Sequence, residues 1–498
     1  MDLLCTSSPA NAALWAAQFR TFRVDELLRM DSVELAGYVT CDPEEIRARQ
    51  AIYSDCMQNS ALLPIFTRIL SAIDDILALR QKDRDSFPDT ERSLYAVRSL
   101  QLYISLIEEI SASSGKLVES LSSLRLREFL SSFSEIAASD EFRVLREEIA
   151  VVSTKSESIR SVTLAVNLNA QLQPSEIGLL SINDSYYTAD NVYTRLFGKS
   201  GVEGRVTPLL SPDGGEQALE KALYSSLNRS VNKLMRKLHS DLLGRCSALV
   251  TPLLECRNSL SFLLRTMHFV KYCRGRCCDL CFASFSEDST HYISIYDPAL
   301  IAHRTASEIV GNDVFFGKDH PYVYLLTGVN SGGKSICLRS IAVNQLLFQL
   351  GLPVAAKSAA VRIVHTVYSH LSAGGSDVGG RFAAECAAAK EILDGSDSNS
   401  LVLMDEAFSS TNSQEGAAIA YQFIRHMLAK GCFCIFTSHF LELRGYAEEL
   451  ISTDKKLGVF HFGTFDGKQT YRLQPGFVEE KNYAYLIAKK YGLEYSAE

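Results

Sequence analysis

The chain has 498 residues, of which 47% are hydrophobic and 22% charged, and its formal net charge is −8. That length suits about two to four domains, and the acidic balance excludes wholesale basic attraction to nucleic acid while leaving room for a local basic face. Thirteen cysteines, a start without a basic secretion region and the lack of any run approaching ~18 apolar residues fit a cytoplasmic protein with free thiols and no membrane span.

The first elements read as helix. "DPEEIRARQAIYSDCMQN" opens with Asp42 as an N-cap, Pro43 at the first helical position and acidic residues in the first turn. "ERSLYAVRSLQLYISLIEEISA" places Leu94, Val97, Leu100, Ile104, Ile107 and Ile110 near one face. Helical character continues to about residue 150. The pattern then alternates through Val162, Leu164, Val166 and Leu168, and a second apolar run, Ile177 to Ile182, follows a polar turn. This predicts a strand pair over about 160–184, inserted among helices and closed by "TPLLSPDGGEQ".

From Glu216 a seam of Leu219, Leu223, Leu227, Val231, Leu234, Leu238 and Leu242 predicts one long helix. Pro252 is expected to kink or split it, after roughly 50 Å at ~1.5 Å per residue. Arg229, Lys233, Arg236 and Lys237 lie on or beside its outer surface, as a solvated face or one that meets a phosphate backbone. "YCRGRCCDLCF" gathers Cys273, Cys277, Cys278 and Cys281 in a spacing unlike a zinc ribbon. If helical, three of them share one face and pack as structural thiols; metal binding and redox sensing are the alternatives. Beyond about residue 286, short apolar strands such as "YVYLLTG", "SLVLMDE" and "CFCIFTSH" alternate with helical stretches, which predicts a mainly parallel sheet with helices on its faces.

Chemistry concentrates in that last region. "GVNSGGKS" follows a strand and opens a helix, the context a phosphate loop requires. Glycines let backbone N–H groups converge on phosphate, Lys334 supplies charge to it, and the Ser335 hydroxyl suits Mg2+. The strand Leu401–Met404 ends in Asp405, a carboxylate for Mg2+, and Glu406, a general base for the attacking water. A third strand ends in Thr437-Ser438-His439 and brings an imidazole to the same sheet edge.

The order of "TGVNSGGKS", "GGRFAAEC", "LVLMDEAFSSTNSQEG", "FTSHF" and "RLQPG" resembles the ATPase domain of the MutS family, the DNA mismatch-repair clamp ATPases, over about residues 286–495. More weakly, "DPEEIRARQAIYSD" is similar to the start of that family's helical core, and the helices around the β insertion to its lever and clamp. The resemblance implies an ABC-type P-loop ATPase that works as a homodimer, with ATP and Mg2+ in composite sites between subunits. It implies that Gly328, Asn330, Ser331, Gly332, Gly333, Lys334 and Ser335 hold the nucleotide, although Val329 and Ser331 replace the family's usual Pro and Met. It further implies Mg2+ on Ser335 and Asp405, Glu406 and Lys334 in catalysis, His439 as a switch, and Thr411 and Gly416 in a loop that crosses the interface. Ile309 or Val310 falls where the family packs an aromatic residue on adenine. Gly380 and Arg381 stand where the family's signature segment has Ser-Thr, with Phe382 and Glu385 retained.

The expected architecture is therefore a multidomain chain. Residues 1–285 form an all-α core and lever with a small clamp-like β insertion at about 155–212, and 286–498 form an α/β ATPase domain. The core-like sequence begins near residue 22, and the tripeptides Phe133-Ser134-Glu135 and Phe285-Ser286-Glu287 read as coincidences rather than a mismatch-reading wedge. The expected function is an ATP-dependent clamp on duplex or structured DNA that does not read mismatches directly, working with other repair or recombination proteins. The cations of the insertion (Lys155, Arg160, Arg195, Lys199 and Arg205) are few, which keeps open an ATP-driven dimerisation switch whose lever arms bind a protein. A chromosome-organising ATPase is disfavoured, because Lys334 and Asp405 are too close in sequence for a long intervening coiled coil.

Overall fold

The structure is a computed structural model and describes residues 3–4, 11–84, 89–158, 161–168, 170, 174–183, 185, 245–328, 332–371, 378–454, 456–465 and 468–477. Helices and sheets are mixed, and the chain divides into two compact units. One comprises Ser60–Ser261, and the other comprises Leu4–Asn59 with the chain from Phe262 onward. The unit that carries the large sheet is thus wider than the segment from 286 that the sequence pattern marks.

The chain opens with three short helices, α1 (Ala12–Thr21), α2 (Val24–Leu28) and α3 (Ser32–Ala36), followed by α4 (Pro43–Gln58). Asp42 caps α4 by accepting from the Glu44 N–H, with Pro43 and two glutamates in the first turn. Such a cap contributes about 1 kcal/mol. Arg49 of α4 is wholly buried, paired with Glu45 at 2.7 Å, and donates to the carbonyls of Tyr38 and Leu350. Tyr53 bonds Thr266 at 2.6 Å, and the rings of Tyr38 and Phe262 stack at 4.0 Å. These contacts join Leu4–Asn59 to the later part of the chain.

The other unit begins with α5 (Leu62–Arg84), α6 (Asp89–Val118), α7 (Leu124–Ala138) and α8 (Asp140–Ser158). The α6 face read from sequence is its core face, since Val97, Leu100, Ile104, Ile107 and Ile110 are all buried. The Leu94 side chain lies outside the described residues. On α7, Leu126, Phe129, Leu130 and Phe133 are buried as well. Strands β1 (Ser161–Leu168) and β2 (Pro174–Asn183) pair antiparallel, with Ser161 opposite Asn183, where the alternation places a strand pair. The long helix expected from Glu216, and the cations on it, lie outside the described residues. A helical run over 245–255 contains Pro252 and stops at Cys256, and α9 (Arg257–Gly275) starts anew. The described run thus continues through Pro252 for a turn before it stops.

In the wider unit, six strands form one sheet: β6 (Val323–Thr327), β8 (Thr366–His370), β9 (Ser400–Asp405), β10 (Phe433–Ser438), β11 (Leu457–Phe465) and β12 (Lys468–Pro475). Their order is β12-β11-β6-β10-β9-β8, parallel throughout except for β12. Every residue of β9 and β10 is buried, as expected of central parallel strands covered on both faces. Helices α10 (Lys334–Gln349), α11 (Val378–Gly395), α12 (Ser413–Lys430) and α13 (Leu443–Thr453) connect the strands. A smaller sheet in the order β3-β7-β4-β5 uses β3 (Ser284–Phe285), β4 (Ser289–Ile295), β5 (Asn312–Gly317) and β7 (Ser358–Val361). Among the described residues, no helix is long and apolar enough to cross a membrane.

The cysteine stretch is not one helical face. Helix α9 ends at Gly275, Cys277 has φ +58°, and Cys281 pairs with Val354 in a β-bridge. Burial pushes Cys273 up to about 12 and Cys281 up to about 11. Among the described residues no group of three or more His, Cys, Asp or Glu could hold a metal ion.

Candidate nucleotide-binding site

Parallel strands deliver their C-terminal ends to one edge of a sheet, and here three neighbouring ends carry the polar groups. β6 leads to Gly328, at φ +134°. Residues 329–331, hence Asn330 and Ser331, lie outside the described residues. Gly332 follows, and Gly333 caps α10 at φ +103°, with Lys334 as the first helical residue. A Cβ on Gly333 would be strained by that φ and would meet the Tyr471 ring at 3.4 Å and the Phe462 ring at 3.6 Å. The position is thus a backbone cradle that a side chain would fill.

The Lys334 ammonium is buried and lies 2.7 Å from the Gly328 carbonyl and 2.8 Å from Glu406 Oε1. Ser335 Oγ donates to Asp405 Oδ2 at 2.6 Å. The other Asp405 oxygen accepts from Thr437 Oγ1 at 2.7 Å, and Thr437 Oγ1 accepts the Glu406 N–H at 2.9 Å. Thr437 stands beside Asp405 in the β9–β10 register, so one hydroxyl sets both acidic residues. Glu406 has φ +50° and Phe408 φ +65°. Left-handed backbone at such residues costs about 1–2 kcal/mol each. The Thr437 bond and the burial of Phe408 hold the turn in place. His439 follows β10, is 40% exposed, and brings Nδ1 to 3.9 Å from Glu406 Oε1.

The loop after the acidic pair is anchored on both sides. Thr411 donates to Glu415 at 3.1 Å, and a Cβ on Gly416 would meet the Phe440 ring at 2.6 Å. Glu385 of α11 is buried, pairs with Arg381 at 3.2 Å and accepts from Ser410 Oγ at 2.9 Å. Phe382 packs against the core below the sheet, while Gly380 is exposed. His370, at the end of β8, is held below its ordinary pKa by burial, against the opposing pull of Glu385 and Asp405.

A cavity of about 850 Å3 opens beside the phosphate loop, and its wall includes Ile309, Val310, Gly333, Lys334, Ser335, Asp405 and Glu406. Phe462 and Tyr471, from β11 and β12, also line it. Tyr471 takes φ +56°, and Asn312 fixes that strand through bonds to the Tyr471 carbonyl at 3.0 Å and the Leu473 N–H at 2.8 Å. Sequence reasoning did not find Tyr471, Thr437 as a ligand of both acids, or His370. For Thr437 the only signal was a hydroxyl at the end of an apolar strand, and for Tyr471 a lone aromatic on a polar strand. The oxygens of Ser335 and Asp405 form the hard pair that suits Mg2+, and the Gly333 cradle with Lys334 suits a phosphate chain, so the residues present fit both groups.

Residues 324–494 match the model of MutS domain V. The chain is 32% identical over 196 residues to the Endonuclease MutS2 of Streptococcus thermophilus, covering 39% of this chain and 24% of that protein. It is 33% identical over 168 residues to the DNA mismatch repair protein MSH2 of Saccharomyces cerevisiae, covering 33% and 17%. For the Endonuclease MutS2 of Ligilactobacillus salivarius the figures are 31% over 211 residues, 42% and 26%. The matched segment thus spans about a quarter or less of the length of these relatives.

Proposed function

The chain belongs to the MutS family through residues 324–494, and on that premise we propose that it is an ATPase that couples ATP turnover to the grip of a homodimer on duplex or structured DNA. The observation that carries the reading is the convergence of Lys334, Ser335, Asp405, Glu406 and Thr437 at the ends of β6, β9 and β10.

ATP is the substrate in this reading. Its phosphates lie on the Gly328–Ser335 loop at the positive end of α10. Mg2+, when bound on Ser335 Oγ and Asp405 Oδ2, supplies positive charge to the phosphates. The Lys334 ammonium now faces the Glu406 carboxylate at 2.8 Å. A phosphate competes for that ammonium, and its binding leaves Glu406 free to accept a proton from the attacking water. The new bond joins the water oxygen to the γ-phosphorus, the bond to the β–γ bridging oxygen breaks, and ADP and phosphate leave. His439 is close enough to Glu406 to steady the carboxylate or the water. Ile309, Val310 and Tyr471 flank the base, with Tyr471 as the aromatic surface.

The names of the relatives, DNA mismatch repair protein and endonuclease, motivate DNA as the partner. The β1–β2 pair is the candidate clamp tip. Phe133 is fully buried in α7, and Phe285 is half-buried in a strand of the smaller sheet, which supports reading neither Phe-x-Glu tripeptide as a wedge. The decisive experiment measures ATP hydrolysis against linear, mismatched, forked and junction DNA. Glu406→Gln should bind ATP yet turn it over at least 100-fold more slowly, as expected when a general base is lost. Undiminished turnover removes Glu406 from the base role, and failure of every DNA to bind at low salt overturns the DNA part of the reading.

A further inference from the structure

A second cavity, of about 900 Å3, adjoins the nucleotide pocket without being part of it. The two share a wall in which Asp297 and Leu300 meet the first turn of α10 at Ser335 and Ile336. The second opens instead toward α2 and α9.

Its rim is positively charged. Arg23, Arg29, Arg265 and Arg339 line it, against the two carboxylates of Glu26 and Asp297. Arg23 reaches Glu26 only at 4.0 Å, and Arg265 meets Glu34 at 3.4 Å in an exposed pair, contacts that stabilise by less than about 1 kcal/mol. Arg29 is exposed and has no carboxylate partner among the described residues. Arg23 and Arg29 flank the five-residue α2, both at φ +54°, a backbone that arginine rarely adopts, and both line the same cleft. Arg339 Nε is 3.3 Å from Asp297 Oδ2 but out of line for a hydrogen bond, so this buried N–H has no acceptor among the described residues.

The inner wall is apolar, from Leu28, Phe269 and Leu300, with Tyr272 41% exposed and Ile336 45% exposed. An arginine rim around an apolar, aromatic interior of this volume suits a ligand with a phosphate at one end and a flat body at the other. We propose that this cleft is a second anion-binding site, for a phosphorylated small molecule of nucleotide size, distinct from the phosphate loop. Because Asp297 and α10 face both cavities, occupancy of one site alters affinity at the other by the same factor in each direction.

ADP is a probe with both features, and calorimetric titration with it counts the sites. Wild type is expected to bind two ADP per chain, and Lys334→Ala to keep only the cleft site. The double variant Arg29→Asn, Arg265→Gln should keep only the loop site, with the other weakened at least tenfold. Asn tolerates a positive φ, and both arginines are exposed, so the fold should persist. Should that variant melt early, Tyr272→Ala removes part of the inner wall instead and must weaken the same site. A single wild-type site that disappears in Lys334→Ala overturns the proposal, as does a second site that the arginine and tyrosine variants leave intact. If the loop reading is the one that fails, Lys334→Ala binds as wild type does while the arginine variant loses its site, so the two failures are distinguishable.

Discussion

Thr437 ties the two acidic residues of the site to one strand end. Its hydroxyl donates to Asp405 and accepts from the Glu406 backbone in a wholly buried position. Thr437→Val preserves shape but leaves a buried N–H and a carboxylate oxygen short of a partner. We expect a loss of about 1–3 kcal/mol in stability, read by urea denaturation, and ATP turnover at least tenfold slower. Wild-type turnover in a folded Thr437→Val protein would show that the acids hold their places without it. Sequence placed Asp405 and Glu406 at a strand tip because an apolar run followed by two acids is a local signal. The hydroxyl that organises them comes from another strand, and no local pattern marks such a partner.

Among the elements, the β11–β12 edge and α4 do work that their own sequences do not announce. β12 carries Tyr471 into the nucleotide cavity in a left-handed conformation, braced by Asn312. Tyr471→Ala should weaken ADP binding at the loop about tenfold, the scale of one lost base–aromatic stack. Equal affinity would assign the base to Ile309 and Val310 alone. The cap and first turn of α4 were legible from Asp42-Pro43-Glu44-Glu45, since capping is a matter of adjacent residues. The role of Arg49 was not, because its acceptors at Tyr38 and Leu350 are set by folding. Arg49→Ala removes the guanidinium that pairs with the buried Glu45 carboxylate at 2.7 Å and should cost about 3–5 kcal/mol. A chemical-denaturation midpoint unchanged from wild type would contradict that role.

At the scale of the whole molecule, the proposed cycle predicts an assembly that answers to nucleotide. Glu406→Gln with ATP and Mg2+ should run by light scattering at twice the monomer mass, and removal of Mg2+ should dissolve the trapped dimer. A mass that ignores both nucleotide and metal speaks against composite sites. What the residues determined by themselves was short-range: the strand–glycine–lysine loop, the acidic pair at a strand end, the apolar face of α6 and the alternation of β1–β2. Each depends on groups within one or two turns of chain, so periodicity and spacing suffice to find it. Only the tertiary structure decided that Leu4–Asn59 belongs with the sheet, that α9 ends before the later cysteines, that Thr437 and Tyr471 converge on the site, and that an arginine-rimmed cleft adjoins it. Those outcomes depend on which buried groups find partners from distant segments, because unpaired polar groups are costly inside a protein, and the chain order of residues does not encode that pairing one position at a time.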